Sequence, residues 1–212
     1  MIIVKIKGGL GNQLFQYALG RHLALKNNTT LQLDTSFFKN TDHRIFELSN
    51  FNIRAEIAPE GIIPFIKRDH SFYKKVGRLS NTIFSKFKII NENQISFSPQ
   101  ILDCRDNAYL DGYWQSEKYF IAIKDILHED LTFKKELSET QKTLADHITK
   151  CTSVSIHVRR GDFVGSKYHP TCDVGYYKQA IGKMLTVLQD PQFFIFSDDL
   201  EWCKENLKAP KF

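Results

Sequence analysis

Long apolar runs, closely spaced cysteines and tracts of biased composition are all missing from this chain of 212 residues. The N-terminus, Met1-Ile-Ile-Val-Lys-Ile-Lys7, holds a brief apolar run broken by lysines, too short for a signal-peptide core or a membrane-spanning helix. The expectation is a chain that starts and stays in the cytoplasm. Cys104, Cys151, Cys172 and Cys203 lie far apart with no Cys-x-x-Cys spacing, which supports neither a zinc site nor a disulfide framework. Free thiols are expected. What is present is globular: 42% hydrophobic residues, 25% charged residues and 17 phenylalanines argue against disorder and for a core rich in aromatics.

The net charge of +5 is modest but unevenly placed. Lys67, Arg68, Lys74, Lys75, Arg78, Lys86 and Lys88 crowd one segment in which only Asp69 opposes them. We read it as a solvated helix face, because Phe65, Phe72, Tyr73, Val76 and Leu79 recur at near-helical spacing. Peripheral contact of segment 67–88 with an anionic membrane at its inner face is the second reading, and no nucleic-acid partner is expected.

Residues 2 to 6 predict a strand, Lys7-Gly-Gly-Leu-Gly-Asn12 a glycine-rich turn, and Gln13 to Lys26 a helix with periodic Leu14, Tyr17, Ala18, Arg21 and Leu25. Leu31-Gln-Leu-Asp34 supplies a second strand and completes a β-α-β unit, so an α/β fold with a parallel sheet is expected. The glycine block approaches a dinucleotide fingerprint, with Asp34 where a ribose-binding acid would stand. Leu14, however, occupies the place of the third small residue. A phosphate-binding P-loop fails for want of Gly-Lys-Ser/Thr. What remains is a turn whose Gly9 and Gly11 let a ligand approach the backbone, with the amides of Asn12 and Gln13 at a helix N-terminus.

Residues 40 to 100 read as short helices and loops punctuated by Pro59, Pro64 and Pro99. Ala108 to Phe120 then reads as a strand entering Gly112, an aromatic and polar turn, and a helix. Tyr113, Trp114 and Gln115 suit a sugar site, where rings stack on apolar sugar faces and amides bind hydroxyls; they equally suit a packed strand end. Residues 129 to 150 predict an amphipathic helix with its preceding loop. A domain boundary near 148 would divide the chain into 1–148 and 149–212.

The strand Ser153-Val-Ser-Ile-His-Val158 runs into Arg159-Arg-Gly-Asp162, delivering His157, Arg159, Arg160 and Asp162 to one turn. Arginine presents a planar fork of donors that fits phosphate oxygens two at a time, so two together point to a diphosphate. Tyr176 to Leu188 predicts a helix and Gln192 to Phe196 a buried strand. Ser197-Asp-Asp-Leu200 then opens a final helix ending near Leu207. Ser197, Asp198 and Asp199 thus fall at the same strand edge as Arg159, where open α/β sheets bind ligands; Asp198 or Asp199 could equally cap the helix.

Taken together, Gly8-Gly-Leu-Gly-Asn-Gln-Leu-Phe-Gln-Tyr-Ala18, Asp111-Gly-Tyr-Trp-Gln-Ser-Glu-Lys-Tyr-Phe120, His157-Val-Arg-Arg-Gly-Asp162 and Phe196-Ser-Asp-Asp199 resemble the α-1,2-fucosyltransferases of glycosyltransferase family 11. The His-x-Arg-Arg-x-Asp element is shared more loosely with α-1,6- and protein O-fucosyltransferases. The resemblance implies a GT-B-like α/β architecture, with an N-terminal acceptor-side domain and a C-terminal Rossmann-like donor domain facing a cleft. It implies inverting transfer of L-fucose from GDP-fucose to the 2-hydroxyl of a terminal galactose in a glycan, with no metal and no further cofactor.

In this resemblance Arg159 matches the arginine that holds the donor diphosphate, and His157, Arg160 and Asp162 fix its loop. Gly9, Gly11, Asn12 and Gln13 approach the donor from the opposite domain, and Tyr113, Trp114 and Gln115 lie on the acceptor side. Asp162 is the nearest general base in sequence and equally a partner that orients Arg159 or Arg160. Family members continue beyond the Ser-Asp-Asp turn through a motif rich in Asn, Ser and Trp, so a C-terminal unit cut short to about two strands and two helices is expected. The rival readings are a noncatalytic remnant that binds nucleotide or glycan and, from another class, a nicotinamide-dependent oxidoreductase, against which Leu14 argues.

Overall fold

The computed structural model describes residues 1–41, 43–60, 87–94, 96–167 and 170–208, and the chain divides into two units, Met1–Lys135 and Glu136–Phe212. Nearly all of the basic segment, with Phe65 to Leu79, lies outside the described residues.

The first unit is built on β1 (Ile2–Lys5), whose β-branched run is buried on both faces and takes the centre of a parallel sheet. Its neighbours are β2 (Leu31–Asp34), β3 (Glu56–Ile57), β4 (Lys88–Asn91) and β5 (Ala108–Asp111), in the order β3-β2-β1-β5-β4, every pair parallel. Helix α1 (Leu10–Lys26) makes the crossover from β1 to β2 and ends at Asn27 and Asn28, the latter at φ 46°. One sheet face carries Ile2, Val4, Leu31, Leu33, Ala108 and Leu110 against α1; the other carries Ile3 and Tyr109 against Ala58.

Two expectations need correction here. The helix begins at Leu10, inside the glycine block, and its buried face is Gln13, Gln16, Tyr17, Gly20, Leu23 and Ala24 with Ala18 and Leu19, whereas Leu25 is 38% exposed. The buried stripe contains two glutamines and a glycine, so hydrophobic spacing alone points to a rotated face. Residues 40 to 100 also hold more than helices and loops: β3 and β4 extend the sheet on both sides. Both are short and exposed edge strands with little alternation to mark them.

Helix α2 (Lys124–Asp130) is joined to α1 by a buried polar contact. Asp130 accepts from the Tyr17 hydroxyl at 2.6 Å and from Arg21 Nε at 2.8 Å. Burial, and then the bond to Asp130, pushes the Tyr17 hydroxyl above its ordinary pKa, keeping it a donor.

The second unit opens with α3 (Glu139–Lys150), started by a capping box in which Ser138 and Gln141 satisfy each other's backbone N–H. The boundary therefore lies at 135/136, before this helix, rather than near 148. β6 (Ser153–Val158) pairs in parallel with β7 (Gln192–Ser197) over six residues, and α4 (Val174–Val187) connects them. Helix α5 (Leu200–Asn206) follows. Val158, Tyr177, Cys203 and Leu207 form the small core, with Ile156, Ile195 and Trp202 against it. Among the described residues no helix is long and apolar enough to cross a membrane.

Candidate active site

The carboxyl end of β6 breaks into a turn because Asp198, at the end of β7, pulls it there. The backbone N–H of Arg160 donates to Asp198 Oδ1 at 2.8 Å, and a Cβ at Gly161 would stand 2.8 Å from Asp198 Oδ2, so the close approach needs glycine. Those backbone donors, Arg160 first and Gly161 after the opposing cost of burial, hold the Asp198 carboxyl below the usual range. Asp199 caps α5 by accepting from the Trp202 N–H and binds Arg160 Nε at 3.0 Å through its other oxygen. Ser197 Oγ accepts from the Asp199 N–H. The three residues of the Ser-Asp-Asp turn are thus engaged in shaping the arginine turn.

The two arginines separate clearly in this geometry. Arg160 lies over the Trp202 ring at 4.0 Å and keeps its Asp199 partner, with its side chain 19% exposed. Arg159 is 40% exposed; its guanidinium rests 4.2 Å from the Phe163 ring centre and donates to both Asp162 oxygens at 3.0 to 3.2 Å. Arg159 is therefore an oriented fork open to solvent, and Asp162 is the group that orients it. His157 is exposed on β6, where it lines a groove of about 220 Å³ with Ser155, Tyr176 and Met184.

In the first unit the carboxyl ends of β1 and β5 carry the other candidates. Asp111 accepts from Lys5 Nζ at 2.8 Å and Lys7 Nζ at 2.7 Å. Burial alone would raise its pKa, but the two ammonium groups outweigh that and hold the carboxyl low. Lys7 Nζ also sits 4.8 Å from the centre of the Tyr113 ring, which is 42% exposed. Gln115 donates to Asn12 Oδ1, tying the aromatic turn to the start of α1. A Cβ at Gly9 or Gly11 would meet nothing within 4 Å, and neither has a positive φ, so neither packing nor backbone conformation demands glycine there. Gly8, at φ 80°, is the glycine the turn itself needs.

Gln13 and Trp114 do not serve as expected. Gln13 is fully buried; its amide donates to the carbonyls of Gly8 and Ile45 and accepts from the Glu47 N–H, so it fastens the loop to α1 and has no free group for a donor. Trp114 is 1% exposed and packs edge-on against Tyr119, so its ring face is closed to a sugar. It stands at φ 57°, with the loop held by Glu92, which accepts from the N–H groups of Tyr113 and Trp114. Asp34 is buried too: it accepts from the Tyr109 hydroxyl and the Ser36 N–H, an arrangement unlike a ribose contact.

Sequence reasoning missed Lys5, Lys7, Asp111, Glu92 and Trp202. Lys5 ends β1 and Lys7 lies two residues on, and the register that pairs Val4 with Leu110 brings both ammonium groups to Asp111, a proximity that the sequence alone does not give. Nothing local connects Trp202 with Arg160.

The comparisons with known proteins decide the class. The model of Glycosyl transferase family 11 matches residues 1–211. The chain belongs to glycosyltransferase family 11. It is 34% identical to the α-1,2-colitosyltransferase of Escherichia coli, over 97% of this chain and 71% of that protein. It is 29% identical to the Escherichia coli O-antigen biosynthesis glycosyltransferase WbnK, over 94% and 73%. The mouse (Mus musculus) galactoside 2-α-L-fucosyltransferase Sec1 is 22% identical over all of this chain, which spans 53% of its length. The fold is shared with NodZ α-1,6-fucosyltransferase, crystallised and soaked with GDP-fucose, at a TM-score of 0.50 and 14% identity over 96% of this chain and 73% of that one. This family 11 chain is a glycosyltransferase with the α/β fold of a fucosyltransferase.

Proposed function

We propose that the protein transfers L-fucose from GDP-fucose to the 2-hydroxyl of a galactose-terminated glycan, with inversion at the anomeric carbon. The observation that carries the reading is Arg159, an exposed guanidinium held in a fixed plane by Asp162 and Phe163 at the carboxyl end of β6. As the bond from fucose C1 to the β-phosphate oxygen breaks, negative charge gathers on that phosphate. A fork oriented beforehand stabilises it without reorganising. The acceptor oxygen bonds to C1 from the opposite face, and its proton passes to a base. Asp162 already holds Arg159, so we assign it to positioning, and the acceptor proton passes to water or to a base on the acceptor's own face of the sugar. The reading requires no divalent ion. Gly9, Gly11 and Asn12 are proposed on the donor side of the first unit, Tyr113 and Gln115 on the acceptor side. Residence at the inner membrane face through segment 67–88 belongs to the same proposal.

Isothermal titration with GDP tests the clamp: Arg159→Lys should weaken binding tenfold or more, because a point-like ammonium cannot replace two parallel bonds. Equal affinity removes the assignment. A GDP-release assay with GDP-fucose and lactose tests turnover, and binding without release would make this chain a noncatalytic binder.

One observation favours a second reading of the donor. The Escherichia coli relative at 34% identity is a colitosyltransferase, and colitose is L-fucose without its 3-hydroxyl. Parallel assays with GDP-fucose and GDP-colitose on one acceptor decide between them: a colitose kcat/KM tenfold above that of fucose overturns the first reading.

A further inference from the structure

A polar cavity of about 680 Å³ in the first unit is lined by none of the strand-end residues described above. Arg54 stands just before β3, at the amino side of the sheet, and Lys134 follows α2. Both line the cavity with Arg21, Asn52, Thr132 and Asp130. One lining group is a buried charge: Asp130, 4% exposed, is ion-paired with Arg21 and accepts from the Tyr17 hydroxyl. Arg21 spends only Nε on that bond, leaving its terminal N–H groups for another acceptor. Among the described residues, neither the Arg54 guanidinium nor the Lys134 ammonium has a hydrogen-bonding or ion-pair partner. Glu129 is the opposing carboxylate at the rim.

We propose that this cavity binds a phosphate or diphosphate group, with Arg54 and Lys134 as its principal ligands and Arg21 beneath them. Two cations unpaired among the described residues and the free side of the half-buried Arg21 converge on one space, which is the donor set a tetrahedral oxyanion takes. The Asp130 charge is already compensated, so Glu129 is the one uncompensated negative charge that the ligand meets. The phosphate could be free or part of a lipid headgroup.

The test follows the arginine Nε–H signals of the full chain by ¹H–¹⁵N NMR as inorganic pyrophosphate is added. Arg54 should move at a concentration distinct from that at which Arg159 moves, so failure here and failure of the donor clamp are read separately. Lys134→Ala should weaken the Arg54 response about tenfold, whereas Glu129→Gln should strengthen it about threefold, a gain that no loss of structure produces. Arg54 remaining still to about 10 mM pyrophosphate, or both variants matching the wild type, overturns the site. Cosedimentation with phosphatidylcholine vesicles containing phosphatidic acid, lost in Arg54→Ala/Lys134→Ala, assigns the headgroup source; pyrophosphate binding without cosedimentation assigns the free anion.

Discussion

Arg160 lies over the Trp202 ring, 4.0 Å from its centre, and is bonded to Asp199, the cap of the helix that carries that ring. The end of β6 is thereby fastened to α5, and Arg159 projects from a turn anchored on both sides. Removing the ring should loosen Arg159 without touching it. Trp202→Ala is expected to weaken GDP binding about threefold to tenfold, in keeping with a cation–π contact of about 1 kcal/mol, and Trp202→Phe to restore most of it. Titration calorimetry on both variants checks this; equal weakening in both would mean that the cation–π contact is irrelevant.

Gln13→Ala should act on stability. It strips partners from the Gly8 and Ile45 carbonyls and the Glu47 N–H, at a cost of about 3 kcal/mol. Denaturant unfolding should show the loss, while GDP affinity of the folded protein stays within about twofold. A fall in affinity at unchanged stability would return Gln13 to the donor site.

Acid should release the Lys5–Asp111–Lys7 cluster. The Asp111 carboxyl is held below its ordinary value of 3.8, so its stabilising contribution is complete above that value and is lost as pH falls through the lower pKa of the folded state. Asp111→Asn should therefore lower the melting temperature at neutral pH, and the gap to the wild type should close below about pH 4. A gap that is constant with pH would separate the destabilisation from the charge.

Glycines 20 and 11 should behave oppositely. A Cβ at Gly20 would sit 2.4 Å from Val4 Cγ2 and 2.8 Å from Leu31 Cδ1, inside the packed face of the sheet. Gly20→Ala is expected to cost about 2 kcal/mol, outweighing its gain in helix propensity. Gly11→Ala meets nothing within 4 Å and should leave the melting temperature level or higher while weakening donor binding. Undiminished GDP-fucose affinity in Gly11→Ala would separate that glycine from the donor.

Much of the frame was legible because it rests on local signals. The Ile-Ile-Val strand, the Leu31 to Asp34 strand, and the Asp199 cap before the last helix all appear where their residue types put them. The Arg-Arg turn was legible for the same reason: a strand pattern stops and charged residues take over. What escaped notice depends on partners distant in sequence. Gln13 and Trp114 look like ligand-binding residues until a loop 32 residues away and Tyr119 enclose them. The buried stripe of α1 could not be read from apolar spacing because glutamines, satisfied by backbone groups, occupy part of it. Edge strands β3 and β4 gain their identity from the sheet they join, and a two-residue strand carries almost no signal of its own.

The all-parallel sheet of the first unit separates two kinds of change. Its apolar faces are closed by α1 on one side and, over Ile3 and Tyr109, by Ala58 on the other, while Lys5, Lys7, Asp111 and Tyr113 gather at one rim. The rim side chains are held by one another through Asp111, whereas the strand pairing below them is made by backbone groups. Under the proposed function, a change from one sugar to a close chemical neighbour would be sought first at this rim, above apolar packing that such substitutions do not enter.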